Sequence, residues 1–154
     1  MRSGLAIAAC IGAIAFPALA VGGPDGPEYG GKIDDRKGRY IGFDIAGTGG
    51  DKELRHMFVV GVPFDRCDDP ADDGKQGGEF KGVFDIDRNG RFGGTETDMF
   101  RRHGSPEGIK YTLDGKLDGR EARGTLKMKI IGTNCRSGLV EWKAKKPAPP
   151  APES

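Results

Sequence analysis

The chain is poor in the residues that carry most metal binding and nucleophilic catalysis. Of 154 residues, three are cysteine, two are histidine and one is tryptophan. The histidines, His56 and His103, lie far apart, and neither stands at ligand spacing from a cysteine pair, which argues against zinc. Net charge is almost absent as well, with 24 basic residues against 23 acidic. Arg2 is the only charge in the first twenty positions, so the remainder is balanced. There is no basic excess to point to nucleic acid or an anionic membrane, and no acidic excess to point to disorder. Long apolar runs are also scarce. The one present, residues 5–20, is short for a membrane span and is broken by Pro17. Helical periodicity is missing from everything that follows it.

What is present begins with that first segment. A positive start at Arg2, an apolar stretch and the small-x-small site Ala18-Leu19-Ala20 form the layout of a secretory signal peptide over residues 1–20. The expected location is therefore secreted or periplasmic. Ile7-Ala8-Ala9-Cys10 offers a rival lipoprotein box, but cleavage there leaves residues 11–20 apolar at the new terminus with nothing to bury them. Cys10 leaves with the signal. The remaining pair, Cys67 and Cys135, is expected to form one disulfide in an oxidising compartment, with two free thiols as the alternative. Residues 21–28 form a flexible leader rich in glycine and proline, and residues 146–154 a Pro-rich disordered tail. Residues 29–145 between them make one domain of ordinary size.

Within that domain apolar residues alternate, as half-buried strands require. Ile41, Phe43 and Ile45 share one face; so do Phe58, Val60 and Val62, then Phe80, Phe84 and Ile86, then Ile109, Tyr111 and Leu113. Leu126, Met128 and Ile130 alternate with Thr125, Lys127 and Lys129, and Val140 with Trp142 closes the series. Asn89-Gly90 and Asp118-Gly119 are preferred two-residue hairpin turns. Residues 47–51 and 68–78 read as longer loops, and residues 97–103 as a helical turn or two at most. The pattern predicts an all-β fold, a single antiparallel β-barrel or β-sandwich of about seven or eight short strands. Of the 27 glycines, Gly4 and Gly12 leave with the signal, and the others suit bulges and tight crossings in such a fold.

Gly124-Thr125-Leu126, followed by Cys135-Arg136-Ser137-Gly138-Leu139-Val140-Glu141-Trp142-Lys143-Ala144, resembles the closing hairpin of small exported bacterial β-domains of uncharacterised function. In those domains a glycine-rich opening strand, a mid-chain cysteine and a final Cys-x-(Ser/Thr)-Gly-x-Val-x-Trp-x-Ala run recur. Tyr29-Gly30-Gly31-Lys32 is similar to their opening. The resemblance implies an extracytoplasmic β-domain and carries over no catalytic residues.

One stretch matches a metal-loop pattern. Asp85-Ile86-Asp87-Arg88-Asn89-Gly90, five residues and then Glu96 reproduces D-x-D-x-N-G-x5-E. Calcium takes about six to eight oxygens, so Asp85, Asp87, Asn89 and Glu96 are its candidate ligands, and calcium the one cofactor to consider. The flanks read as strands rather than the helices of an EF-hand, so the same residues also suit a plain hairpin. A second acidic cluster, Asp65, Asp68, Asp69, Asp72 and Asp73, surrounds Cys67. Catalytic arrangements are thin. His56 or His103 would need a neighbouring acid, and Ser105 and Ser137 lack a nucleophile-elbow motif.

The expected function is that of an exported non-catalytic binding or structural module. It is a monomer with no membrane span and no nucleic-acid partner, facing an extracellular protein or glycan. Its candidate working loops are residues 65–78 and 85–96. A secreted inhibitor presenting the 65–78 loop is the first alternative, and a small hydrolase built on a histidine is the second.

Overall fold

The computed structural model describes residues 26–65, 67, 74–102 and 104–149. The expected signal peptide, residues 1–20, the expected leader up to residue 25, Asp68, Asp69, Asp72, Asp73, His103 and the last five residues lie outside them. The described chain is all-β, a nearly closed antiparallel barrel. Nine strands follow in order: β1 (Tyr29–Ile33), β2 (Tyr40–Ala46), β3 (Lys52–Phe64), β4 (Gly74–Phe80), β5 (Phe84–Ile86), β6 (Arg91–Arg102), β7 (Ser105–Asp118), β8 (Glu121–Ile130) and β9 (Arg136–Lys145). Eight run round the wall as β4-β3-β2-β1-β9-β8-β7-β6, and short β5 pairs with the start of β3. The barrel thus consists of two meanders joined where the first strand meets the last, β1 against β9.

The alternating residues meet inside. Ile41, Phe43, Tyr111, Leu113, Leu126, Met128 and Trp142 are all buried, and among the described residues the buried side chains include no charged or polar type. An aromatic column fills the middle. Tyr29 stacks on Phe43 at 5.3 Å, Phe43 meets the edge of Trp142 at 5.7 Å, and Trp142 stacks on Phe92 at 6.1 Å. Room for it comes from Gly115 and Gly124, which sit opposite one another on β7 and β8. A Cβ at Gly115 would stand 2.5 Å from the Phe92 ring, and one at Gly124 2.7 Å from the Trp142 ring.

Three expectations need correction. In β3, Met57 and Val59 are the buried residues, whereas Phe58 and Val60 are half-buried on the outer face. His56 adopts a positive φ of 51° at a bulge against β2, which shifts the alternation by one residue. A second irregularity at Gly61, φ 73°, shifts it back, so Val62 and Phe64 point inward. Residues 97–102 are strand, the second half of β6, because each pairs with β7. The stretch 74–78 is strand too, held by β3.

The chain turns at both predicted places, but neither turn has the two loop residues expected. Asp118 pairs with Glu121, so the two loop residues are Gly119 and Arg120, with glycine at the first central position, φ 60°. At the other turn the Asp87 N–H donates to the Arg91 carbonyl and the Gly90 N–H to the Asp87 carbonyl, with Gly90 at φ 78°. The chain reverses there, but β5 then leaves β6 for β3. Cys67 and Cys135 are joined as a disulfide, which ties the end of β3 to the start of β9.

Candidate functional site

Of the four candidate calcium ligands, Asp87 is used for turning the chain. Asp87 Oδ1 accepts hydrogen bonds from the Asn89 N–H at 2.8 Å and the Arg91 N–H at 2.9 Å. Asp85 points outward from β5, and Glu96 lies five residues into β6, across from Tyr111. Among the described residues no group of three or more His, Cys, Asp or Glu side chains stands close enough to hold a metal ion. The pattern matches because a tight Asp-x-Asn-Gly turn and a calcium loop ask for the same residue types.

Glu96 and Asp98 have another part. Alternation places them on the inner face of β6, at a seam of the barrel wall: among the described residues no backbone ladder joins β6 to β4. Asp98 Oδ2 instead accepts from the Lys81 N–H at 2.7 Å and from the Tyr111 hydroxyl at 3.2 Å, while the Gly82 N–H donates to the Tyr111 oxygen at 2.9 Å. Burial, with the Asp98 charge beside it, raises the Tyr111 pKa well above the usual phenol value. Inward carboxylates also protect an edge strand from pairing with another chain. Behind this latch lies a slot of about 100 Å³ lined by Phe64, Phe80, Phe100, Ile109, Met128 and Ile130.

His56 does have a carboxylate beside it, Asp44, with Nδ1 to Oδ2 at 3.0 Å. Its side chain is 63% exposed, and it lies outside the concavities described here. Asp44 is also occupied with the Glu28 N–H at 2.8 Å. Ser137 Oγ accepts from the Met128 N–H and donates to the Gly138 carbonyl, so it serves the β8–β9 irregularity. No serine hydroxyl bonds His56 among the described residues. Half of the 65–78 loop, the surface of the inhibitor reading, lies outside them, and residues 74–78 belong to β4.

The broadest concavity described is elsewhere, on the outer wall of β6 to β9, a groove of about 570 Å³. Its floor is the backbone of Phe92, Gly115, Gly124 and Trp142, one residue from each of four neighbouring strands in register. The Phe92 and Trp142 rings point the other way, into the core. One wall is Arg91, Lys116, Arg123 and Lys143, and the other is Asp114, Thr125 and Glu141. The cationic wall is a single cross-strand row: Arg91 faces Lys116, Lys116 faces Arg123, Arg123 faces Lys143, and Lys143 faces Lys32 of β1. Five positive side chains thus stand side by side on five strands. Only Lys143 has an ion pair within 4 Å, to Asp35 at 3.0 Å, among the described residues.

Sequence reasoning passed over this row. The Asp118-Gly119 turn read from the sequence sets Lys116 opposite Glu121, whereas the observed Gly119-Arg120 loop sets it opposite Arg123, and net charge sums over the chain and hides a stripe. Neither a known protein family, nor a curated protein, nor a solved structure matches the chain. The geometry of the wall therefore carries the functional argument. Among the described residues no helix is long and apolar enough to cross a membrane.

Proposed function

We propose that the chain is an exported, non-catalytic binding module whose working surface is the outer wall of β6–β9. The signal-type segment 1–20 and the Cys67–Cys135 disulfide support export. The observation that carries the binding reading is the groove: an open trough, about 570 Å³, with charged walls on a rigid floor of paired strands. Catalysis needs an acid or base held in a sheltered site near a reacting atom. The His56–Asp44 pair is solvated instead, and the walls of the groove hold no histidine, serine or cysteine. Long Arg, Lys, Asp and Glu side chains over a stiff sheet suit recognition of a polar partner, either an extracellular protein or a glycan.

The test is retention of the oxidised mature chain, residues 21–154, on glycan and peptide arrays, beside turnover assays on generic ester, peptide and glycoside substrates. Binding without turnover is expected. Turnover that disappears in His56→Ala, or no retention on any array, overturns the reading.

A further inference from the structure

We infer that the groove takes an extended acidic polysaccharide, one with a carboxylate on each sugar ring; this rests on the binding-module reading and adds the class of ligand. The cationic row sets the spacing. Neighbouring strands lie about 4.8 Å apart at the backbone, so Arg91, Lys116, Arg123 and Lys143 rise from the groove wall at about that interval over about 14 Å, and Lys32 continues the row beyond the groove. That interval is close to the length of one pyranose ring in an extended chain. A polymer running across the strands would offer about one carboxylate per cation, those on its protein side pairing directly.

Such a row is not what the sheet adopts for its own sake. Like charges directly opposite on paired strands are unfavourable, and two rungs from Arg123 and Lys143 the strands β8 and β9 place Glu121 opposite Lys145, bonded at 2.9 Å. Acidic side chains flank the row, Asp114 and Glu141 on one side and Asp118 and Glu121 on the other, and keep the wall near neutral overall. Lysine and arginine are the longer side chains, so their charged tips stand farther from the sheet than the carboxylates do.

The opposite wall fits the same ligand. Asp114, Thr125 and Glu141 offer carboxylate and hydroxyl acceptors for sugar hydroxyls, and the floor, whose side chains all point inward, presents backbone to a sugar ring. Nucleic acid fits less well. Duplex DNA carries a charge about every 1.7 Å, roughly three times denser than the row. The aromatic rings that would stack on bases, Phe92 and Trp142, are buried.

The experiment is calorimetric titration of the oxidised chain, residues 21–154, in calcium-free buffer at low and physiological salt. The probes are linear polygalacturonate, its fully methyl-esterified form, a neutral glucan and duplex DNA. Polygalacturonate should bind, more weakly as salt rises, and the ester and glucan should not. Lys116→Thr with Arg123→Thr should weaken binding about tenfold, each single variant by less, with melting curves close to the parent. Lys52→Thr, a basic residue on β3 outside the row, should leave binding unchanged. Failure of polygalacturonate to bind, equal binding of its ester, equal binding of DNA, or an equal loss in Lys52→Thr overturns the proposal. If polygalacturonate fails while another array ligand is retained, the ligand class falls and the binding module stands. If nothing is retained, both fall.

Discussion

Two glycines in this barrel should respond in opposite directions to the same substitution. At Gly124 the backbone φ is one an L residue adopts, so alanine meets no conformational penalty there. Its methyl group, however, would overlap the Asp114 carbonyl oxygen and stand 2.7 Å from the Trp142 ring. The obstruction includes backbone of a paired strand, which cannot rotate away. Overpacking of this kind costs about 1–3 kcal/mol. Against it stands the lower entropy of the unfolded chain, a gain of about 0.4–1 kcal/mol. The balance is a loss of about 1–2 kcal/mol, and for a domain of this size about 4 °C of midpoint per kcal/mol. At Gly78 on edge strand β4 a Cβ meets nothing within 4 Å and φ is again ordinary. There only the entropic gain remains, worth about 2–4 °C upward. Thermal unfolding followed by circular dichroism, with the disulfide intact, reads both. A Gly124→Ala midpoint equal to or above that of Gly78→Ala would refute the packing argument for the aromatic column.

Reducing the disulfide, or replacing Cys135 by alanine, should lower stability by about 4 kcal/mol, because the bond closes a sequence separation of 68. That is a fall of roughly 15 °C, and a fall under about 5 °C contradicts it. Excess calcium followed by chelator should leave the midpoint where it is, while Asp87→Ala should cost about 1 kcal/mol through the two turn N–H groups it no longer accepts. A calcium-dependent rise of several degrees would count against the turn assignment. The raised Tyr111 pKa has a definite sign. Above about pH 10 the unfolded phenol ionises while the buried one stays protonated, so stability falls as pH rises from there. Tyr111→Phe should remove that part of the alkaline loss, yet cost about 1–3 kcal/mol at neutral pH by leaving the Gly82 N–H without its acceptor.

Strands free of irregularities were legible residue by residue. Leu126, Met128 and Ile130 alternate without interruption through β8, and all three are buried as expected. β3 was not, because Met57, Phe58, Val59 and Val60 are apolar in both phases and the phase is set by His56 and Gly61 in left-handed conformations. β4 carries too little apolar character to announce itself, and residues 97–102 are strand only by virtue of β7 beside them. The site illustrates the same division. The Asp85–Glu96 pattern was conspicuous and local, and local turn chemistry explains Asp87. The cationic row is visible only after four strand registers are known, since its five members span residues 32 to 143.

The pairing of the first strand with the last has a mechanical consequence. Gly30 lies opposite Lys145, and Lys146 Nζ is bonded to Glu28, so the two ends of the barrel chain leave from the same place. Tension applied across them would open the β1–β9 ladder one rung at a time, like a zipper, instead of shearing many hydrogen bonds together. The unravelling would stop at the sulfur bridge. Once β1 to β3 and β9 are drawn out, load passes directly from Cys67 to Cys135, and the strands between, with most of the groove wall, are left slack. The domain is thus a soft spring with a covalent stop.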